Sequence, residues 1–114
     1  MAIINKTNKT ILAENVIIAN TPFKRMKGLL GKKEFIKGHA LILDPCNSIH
    51  TFFMVFPIDV LFVDKNNRVV KTISSIKPFC LTPIYFRSKL AIELPEGTII
   101  STATQEGNMI SLED

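Results

Sequence analysis

Short apolar runs separated by turn residues follow one another along most of the chain, a pattern typical of β-strands. The clearest run is Ile58–Val63, and the polar residues 64–67 that follow it are typical of a turn. The run at 68–76 then returns, so these two segments predict a hairpin. Further strands are predicted at residues 2–7, 10–19, 40–43, 88–94 and 109–112, which makes about seven in all.

A short helix is predicted at residues 22–30. Thr21 and Pro22 are typical of a helix start, and Gly31 suits a left-handed end. Apolar residues recur between them at helical spacing: Phe23, Met26, Leu29 and Leu30. The helix would therefore be amphipathic, with its basic residues outward. A second helical stretch is expected after the turn at 95–97, as far as Ala103.

These elements predict a mainly β protein of the α+β class. Consecutive hairpins favour antiparallel pairing, so we expect either a compact antiparallel sheet or a partly closed β barrel, with one or two short helices. Residues 50–56 are ambiguous, since apolar residues fall on both parities there. They suit a strand buried on both faces or an irregular packed segment. The 114 residues predict a single domain, 1–114.

Composition adds limits on location. Hydrophobic residues make up 46% of the chain, enough for a core that needs no disulfide or metal. No run has the roughly 18 apolar residues of a membrane helix, and the apolar start at Ala2–Ile4 is too short for a signal peptide. We expect a soluble, cytoplasmic protein without membrane insertion, or a domain whose export signal lies outside this sequence. Cys46 and Cys80 should then stay reduced.

Basic residues gather in one segment. The net charge is +4, and six of the 14 basic residues lie between Lys24 and Lys37, with Glu34 as the only acid there. Such a patch could bind nucleic acid, but a solvated helix face explains it more simply. No aromatic stacking pattern accompanies it in the sequence. We therefore do not expect a nucleic-acid partner.

The segment 45–54 concentrates groups capable of chemistry. A thiol at Cys46 and an imidazole at His50 could form a reactive thiolate pair. Residues four apart on a strand are about 13 Å apart, so this pair requires a bent backbone. A buried structural cysteine with a hydrogen-bonded histidine is the simpler interpretation. We expect binding rather than catalysis.

Zinc is a weaker alternative. Two nitrogen and two sulfur ligands exist along the chain, namely His39, Cys46, His50 and Cys80. None of them falls in a paired ligand spacing. We predict no metal and no cofactor.

Two acidic residues lie inside predicted strands. Asp59 shares a strand face with Leu61 and Val63, so its carboxylate needs partners. Backbone N–H groups at the strand mouth could satisfy it, or it could pair with His50 or Arg25 at a cleft. In the cleft alternative we expect His50 and Asp59 within about 6 Å of each other. Glu93 shares the other strand face with Ala91 and Lys89, opposite Leu90, Ile92 and Leu94, and this face could simply be the solvent side.

The motifs together resemble one family, domain of unknown function 192. The resemblance rests on residues 25–31, 46–54, 56–64, 92–97 and 106–110, with Asn108 where members usually have Asp. It covers nearly the whole chain and implies a compact, mainly β domain, but no established activity. The motif positions that match are Arg25, Gly28, His50, Met54, Pro57, Asp59, Glu93 and Gly97. Some members lack Cys and His where this chain has Cys46 and His50.

We therefore predict a small non-catalytic binding or accessory domain with a polar cleft near His50 and Asp59, for a small-molecule or protein partner. The predicted ligand-binding residues are Arg25, His50, Met54, Asp59 and Glu93. One alternative is a small enzyme that uses Cys46 with His50, perturbed by Asp59. The other is a nucleic-acid-binding module that acts through Lys24 to Lys37.

Overall fold

Eight strands and two short helices make up the fold. The computed structural model describes residues 1–114. Its elements confirm the mainly β, α+β class. The strands are β1 (Ala2–Asn5), β2 (Thr10–Ala13), β3 (Asn15–Ala19), β4 (His39–Leu43), β5 (Ile58–Asp64), β6 (Val69–Ile76), β7 (Ser88–Pro95) and β8 (Ile110–Glu113), and the helices are α1 (Pro22–Lys27) and α2 (Thr98–Ser101). Neither helix has the length and apolar character that a membrane crossing needs.

The strands form two sheets rather than a barrel. The large sheet has the order β3-β4-β7-β5-β6, and the small sheet has the order β2-β1-β8. The predicted hairpin is present as β5 and β6. The last strand is also present, and it pairs with β1. The strand β7 lies between β4 and β5 and is antiparallel to both.

The predicted strand 10–19 is two strands in different sheets. Ala13 pairs with Ile3 in the small sheet, whereas Asn15 pairs with His39 in the large sheet. The backbone N–H groups of Glu14 and Asn15 both donate to the carbonyl of Gly38, which holds the chain where it changes sheet. The strands β3 and β4 are parallel, so the pairing is not purely antiparallel, and the eight strands divide between two sheets instead of closing into a barrel.

Both faces of the large sheet are buried, but by different material. Leu61 and Val63 belong to the core that includes the small sheet and α2. Val60 and Phe62 belong to the core on the other side. We call the side of Leu61 and Val63 the sheet side, and the side of Val60 and Phe62 the loop side. Side chains alternate along a strand, so the parity of a residue on β5 or β7 decides which core it enters.

Three connected segments cover the loop side: residues 20–38, 44–57 and 77–87, here called the loop layer. Leu29, Ile49 and Met54 anchor it in the core. The second and third segments are joined by backbone hydrogen bonds, since Thr51 N donates to Cys80 O at 2.9 Å and Thr82 N donates to Ile49 O at 3.0 Å. The ambiguous stretch 50–56 is therefore an irregular packed segment, in which His50 makes a single isolated bridge with Leu81.

The helix α1 is shorter than predicted and does not pack its apolar residues inward. Thr21 caps it as expected, because its hydroxyl accepts from Lys24 N at 3.1 Å. Gly28, with φ of +46°, ends it three residues before Gly31. Phe23 and Met26 are 71% and 69% exposed. A helix of fewer than two turns cannot present both of them and Leu29 to the same core, and Leu29 alone is buried.

Candidate functional site

A cavity of about 560 Å³ lies on the loop side, between the end of α1 and the strand β7. Residues 25–30 form one wall, and residues 45–50 form another. Leu43, Met54, Ser88, Lys89 and Glu93 complete the lining. The cavity is large enough for a small organic molecule. Four of the five predicted ligand-binding residues line it: Arg25, His50, Met54 and Glu93.

Glu93 contributes a buried carboxyl group to this cavity. It sits on β7 between Leu41 of β4 and Val60 of β5, and both of these pack into the loop-side core. The residue is 4% exposed, and its carboxyl accepts no hydrogen bond and makes no ion pair. Burial raises the pKa of Glu93 to about 8. The alternative that places Glu93 on the solvent side is wrong, because the loop layer covers that face of the strand.

Arg25 lies on the opposite wall of the cavity. Its guanidinium Nη1 donates to the carbonyl of Pro45 at 3.1 Å, which links α1 to the second segment of the loop layer. Its Nε is buried and has no hydrogen-bond partner. The remaining terminal nitrogen, Nη2, makes no hydrogen bond within the chain and is not a buried unpaired atom, so it is the donor left for an acceptor that is not part of the chain.

Cys46 and His50 both line the cavity, but they do not form a thiolate pair. The Cys46 Sγ donates to the carbonyl of Ser48 at 3.1 Å. Burial raises the pKa of the Cys46 thiol, and the charge of Glu93 raises it further, against the lowering effects of the Ser48 hydrogen bond and Arg25. An activated nucleophile needs a lowered thiol pKa. The imidazole Nδ1 of His50 accepts from Phe52 N at 3.2 Å, and its ring stacks on Phe52.

Asp59 is not part of the cavity. It pairs in register with Leu94, and like Leu94 it faces the sheet side. Its two carboxylate oxygens accept from Ser75 N and Ile99 N, each at 2.9 Å. The predicted cleft shared by His50 and Asp59 is therefore wrong. The parity of β5 points Asp59 away from the loop layer that carries His50, and the backbone N–H alternative is the one that the structure contains.

The four candidate zinc ligands are not assembled. No group of three or more His, Cys, Asp or Glu side chains has the geometry to hold a metal ion. His39 begins β4, whereas Cys46 and His50 lie in one segment of the loop layer and Cys80 lies in another. Both cysteines are free thiols, and Cys80 is exposed.

The outer surface of the loop layer combines exposed apolar side chains with positive charge. Ten of the 15 exposed large hydrophobic residues lie there: Phe23, Met26, Ile36, Phe52, Phe53, Val55, Phe79, Leu81, Ile84 and Phe86. The layer also holds eight of the 14 basic residues but only two of the 10 acidic ones, a net +6 against −2 for the remainder of the chain. The sequence did not reveal this surface, because its three segments are distant along the chain.

Comparison with known proteins agrees with the motifs. Residues 3–112 match the family model DUF192, described as an uncharacterized ACR. The chain belongs to the DUF192 family. The cavity residues of this member fall inside that match, and so does Asp59.

Named relatives match along nearly the whole chain. The UPF0127 protein TK1120 of Thermococcus kodakarensis is 36% identical over 115 residues, covering 96% of this chain and 71% of that protein. The UPF0127 protein PH1112 of Pyrococcus horikoshii is 34% identical over 114 residues, covering 95% of this chain and 96% of that protein. A crystal structure of a protein of unknown function from Novosphingobium aromaticivorans has a TM-score of 0.84 at 17% identity, covering 97% of this chain and 82% of that one. It shows the same fold.

Proposed function

We propose that this DUF192 protein is a small non-catalytic binding domain whose ligand is a small polar molecule held between α1 and β7. One observation carries the proposal. The Glu93 carboxyl is buried in the wall of a cavity of about 560 Å³ and has no partner within the chain. Its oxygens are not among the buried side-chain atoms that lack a hydrogen bond, so they keep contact with the cavity. A bound molecule with a hydrogen-bond donor can therefore reach the carboxyl and satisfy it.

The contrast with Asp59 supports this interpretation. Asp59 is also buried, yet the fold supplies two backbone N–H donors to it. The fold therefore supplies hydrogen-bond donors to a buried carboxylate that has a structural role. Glu93 receives no such donors, and the Arg25 Nη2 on the facing wall has no acceptor within the chain. Unpaired polar groups that converge on one cavity are typical of a binding site.

Binding is favoured over thiol catalysis by the state of Cys46. Burial raises the pKa of its thiol, so little thiolate is present at neutral pH. The His50 Nδ1 is engaged by a backbone N–H of its own segment. The cavity therefore offers recognition groups, while its thiol and imidazole are tied to the backbone.

A library of small polar metabolites tests the proposal by thermal shift and by amide NMR shifts. Compounds that bind should raise the melting temperature and move the amide signals of residues 25–30 and 45–50. Asn47→Trp places an indole at the exposed rim of the cavity and should abolish both effects. The matched control Asn20→Trp, outside the cavity, should retain them. If no compound acts, or if Asn47→Trp responds like the wild type, the proposal fails.

We also propose a cytoplasmic location, supported by two free cysteines of which one is exposed. Exposed thiols persist where the compartment is reducing. Alkylation of the protein directly in cell extracts should modify Cys80. A blocked Cys80 that reacts only after reduction would contradict this location.

A second candidate function is binding of single-stranded nucleic acid at the outer surface of the loop layer. The observation that favours it is that the loop layer contains both exposed phenylalanines and a net charge of +6. Phe53 and Phe86 are 75% and 86% exposed. Contact of such large apolar surfaces with water is unfavourable unless a partner covers them. The bases of single strands stack on exposed aromatic rings, and their phosphates are attracted by basic side chains.

Fluorescence anisotropy with a labelled oligothymidylate tests this second candidate. Binding should weaken steeply as salt rises. Phe53→Ser should weaken it, whereas Ile17→Ser, which removes an exposed apolar residue from β3, should not. Binding that is absent at low salt, or that is equal in the two variants, removes this candidate.

A further inference from the structure

Basic and acidic side chains line the cavity at different depths. Glu93 lies on the floor, between the apolar side chains of Leu41 and Val60. Arg25 is half-buried, and Lys27 and Lys89 are exposed, so the three cations lie towards the rim. The cavity therefore has a positive mouth and an acidic floor.

The acidic group and the basic groups of the cavity do not pair with each other. Arg25 and Glu93 form no ion pair, and Lys89 instead lies 4.0 Å from Asp44. The Cys46 thiol lies in the same cavity, near enough to both groups that Glu93 raises its pKa and Arg25 lowers it. A carboxyl group and a guanidinium group thus remain unpaired across one cavity.

We propose that the ligand of this cavity is a small amphoteric molecule of the amino-acid class, whose carboxylate pairs with Arg25 and whose ammonium group pairs with Glu93. This inference rests on the proposed function. A simple anion would satisfy Arg25 but leave the Glu93 carboxyl without a charged partner. A simple amine would have to cross the positive mouth with no countercharge of its own. A molecule with both groups satisfies both walls.

Binding of such a ligand also moves a proton. The titratable and charged groups that line the cavity are Arg25 and Lys27 from the first wall, Cys46 and His50 from the second, and Lys89 and Glu93 from β7. Because the pKa of Glu93 is about 8, its carboxyl holds a proton at neutral pH. An ammonium group beside it favours the carboxylate. Up to one proton should therefore leave on binding.

Isothermal titration with matched probes tests the inference. The first set is γ-aminobutyrate, butyrate and butylamine, and the second is ε-aminocaproate, caproate and hexylamine, with glycine as the shortest amphoteric probe. At least one amphoteric probe should bind about tenfold or more tightly than its two singly charged analogues. Titrations in buffers of different ionisation enthalpy should show proton release near neutral pH.

Two pairs of variants assign the preference to the two walls. Glu93→Gln should remove the advantage over the carboxylate analogue and remove the proton release, whereas Glu96→Gln, at an exposed glutamate nearby, should keep both. Arg25→Gln should remove the advantage over the amine analogue, and Lys24→Gln on the same helix should keep it. Circular dichroism and melting temperature check that each variant is folded.

The outcomes separate this inference from the function beneath it. If metabolites bind at the cavity but no amphoteric probe exceeds its analogues at millimolar concentration, the ligand class is wrong and the binding function stands. A carboxylate analogue that binds as well as the amphoteric probe, with Glu93→Gln unchanged, likewise overturns the inference in favour of a simple anion. If nothing binds at the cavity, both proposals fail.

Discussion

Asp59 and Glu93 lie on neighbouring strands, one step apart in register, and point to opposite faces of the same sheet. Asp59 pairs with Leu94, and Glu93 pairs with Val60, so the two carboxyl groups are separated by the thickness of the sheet. Two backbone N–H groups satisfy Asp59, one from β6 and one from α2. None satisfies Glu93. One buried acid therefore holds the fold together, while the other remains open to the cavity.

Replacing Asp59 should destabilise the protein. The pairing of β5 with β6 shifts at Asp59, and Ser75 there has a positive φ of 56°, so the Asp59 bond to Ser75 N holds an irregular part of the strand. Asp59→Asn keeps the size but turns an amide NH2 towards one of the two donors. We expect a loss of about 2–4 kcal/mol in the free energy of unfolding, measured with urea.

Asp64→Asn is the matched control for this change. The Asp64 carboxylate also accepts from two backbone N–H groups, those of Asn66 and Arg68, but in an exposed turn. Its loss should cost less than about 1 kcal/mol because water can replace the acceptor. Equal effects at the two positions would contradict the structural role of Asp59.

Glu93 should make stability depend on pH. Its pKa is about 8 in the fold and about 4.5 as an unperturbed group, so between these values the folded state holds a proton that the unfolded chain has lost. Stability from this group is complete below that window and is lost as pH rises through the folded pKa. The slope is at most about 1.4 kcal/mol per pH unit.

Glu93→Gln should remove this slope, and Glu96→Gln should retain it. Urea unfolding across mildly acidic to mildly alkaline pH measures the difference. The advantage of the glutamine variant over the wild type should grow as pH rises and then level off. A difference that stays constant with pH would show that Glu93 is not buried as an acid.

Cys46 should react slowly with alkylating reagents. Burial raises the pKa of its thiol, and the thiolate is the reactive form. In Cys80→Ser, the remaining Cys46 should react with iodoacetamide about tenfold or more slowly than Cys80 does in Cys46→Ser. A rate above that of free cysteine near neutral pH would revive the thiol–imidazole enzyme.

Gly28 should be required for the wall of the cavity that carries Arg25. Its backbone has φ of 46° and ψ of −125°, which an L-residue reaches only with strain. An added Cβ would meet only ordinary contacts, 3.6 Å from the carbonyl of Arg25, so the cost is conformational. Gly28→Ala should lower stability by about 1–3 kcal/mol. Lys27→Ala, at an exposed position of α1, is the control, and equal melting temperatures for the two variants would refute this reasoning.

Local patterns in the sequence were sufficient for most of the elements. The hairpin of β5 and β6, the strand β7 and the Thr21 cap are each encoded by residues close together in the chain, and all three are present. Local patterns failed at Glu14, where the chain changes sheet, and at α1. The partner of a strand and the covering of a helix depend on distant residues, which alternation and spacing do not describe.

The sequence by itself determined the family, the fold class and the polar residues worth examining. The alternation of side chains along the strand also predicted that Asp59 shares a face with Leu61 and Val63. Only the tertiary structure decided what covers each face: the small sheet and α2 over Asp59, and the loop layer over Glu93. Parity states which side chains share a face, but whether that face meets water, a core or a cavity is set by packing between segments that are distant along the chain.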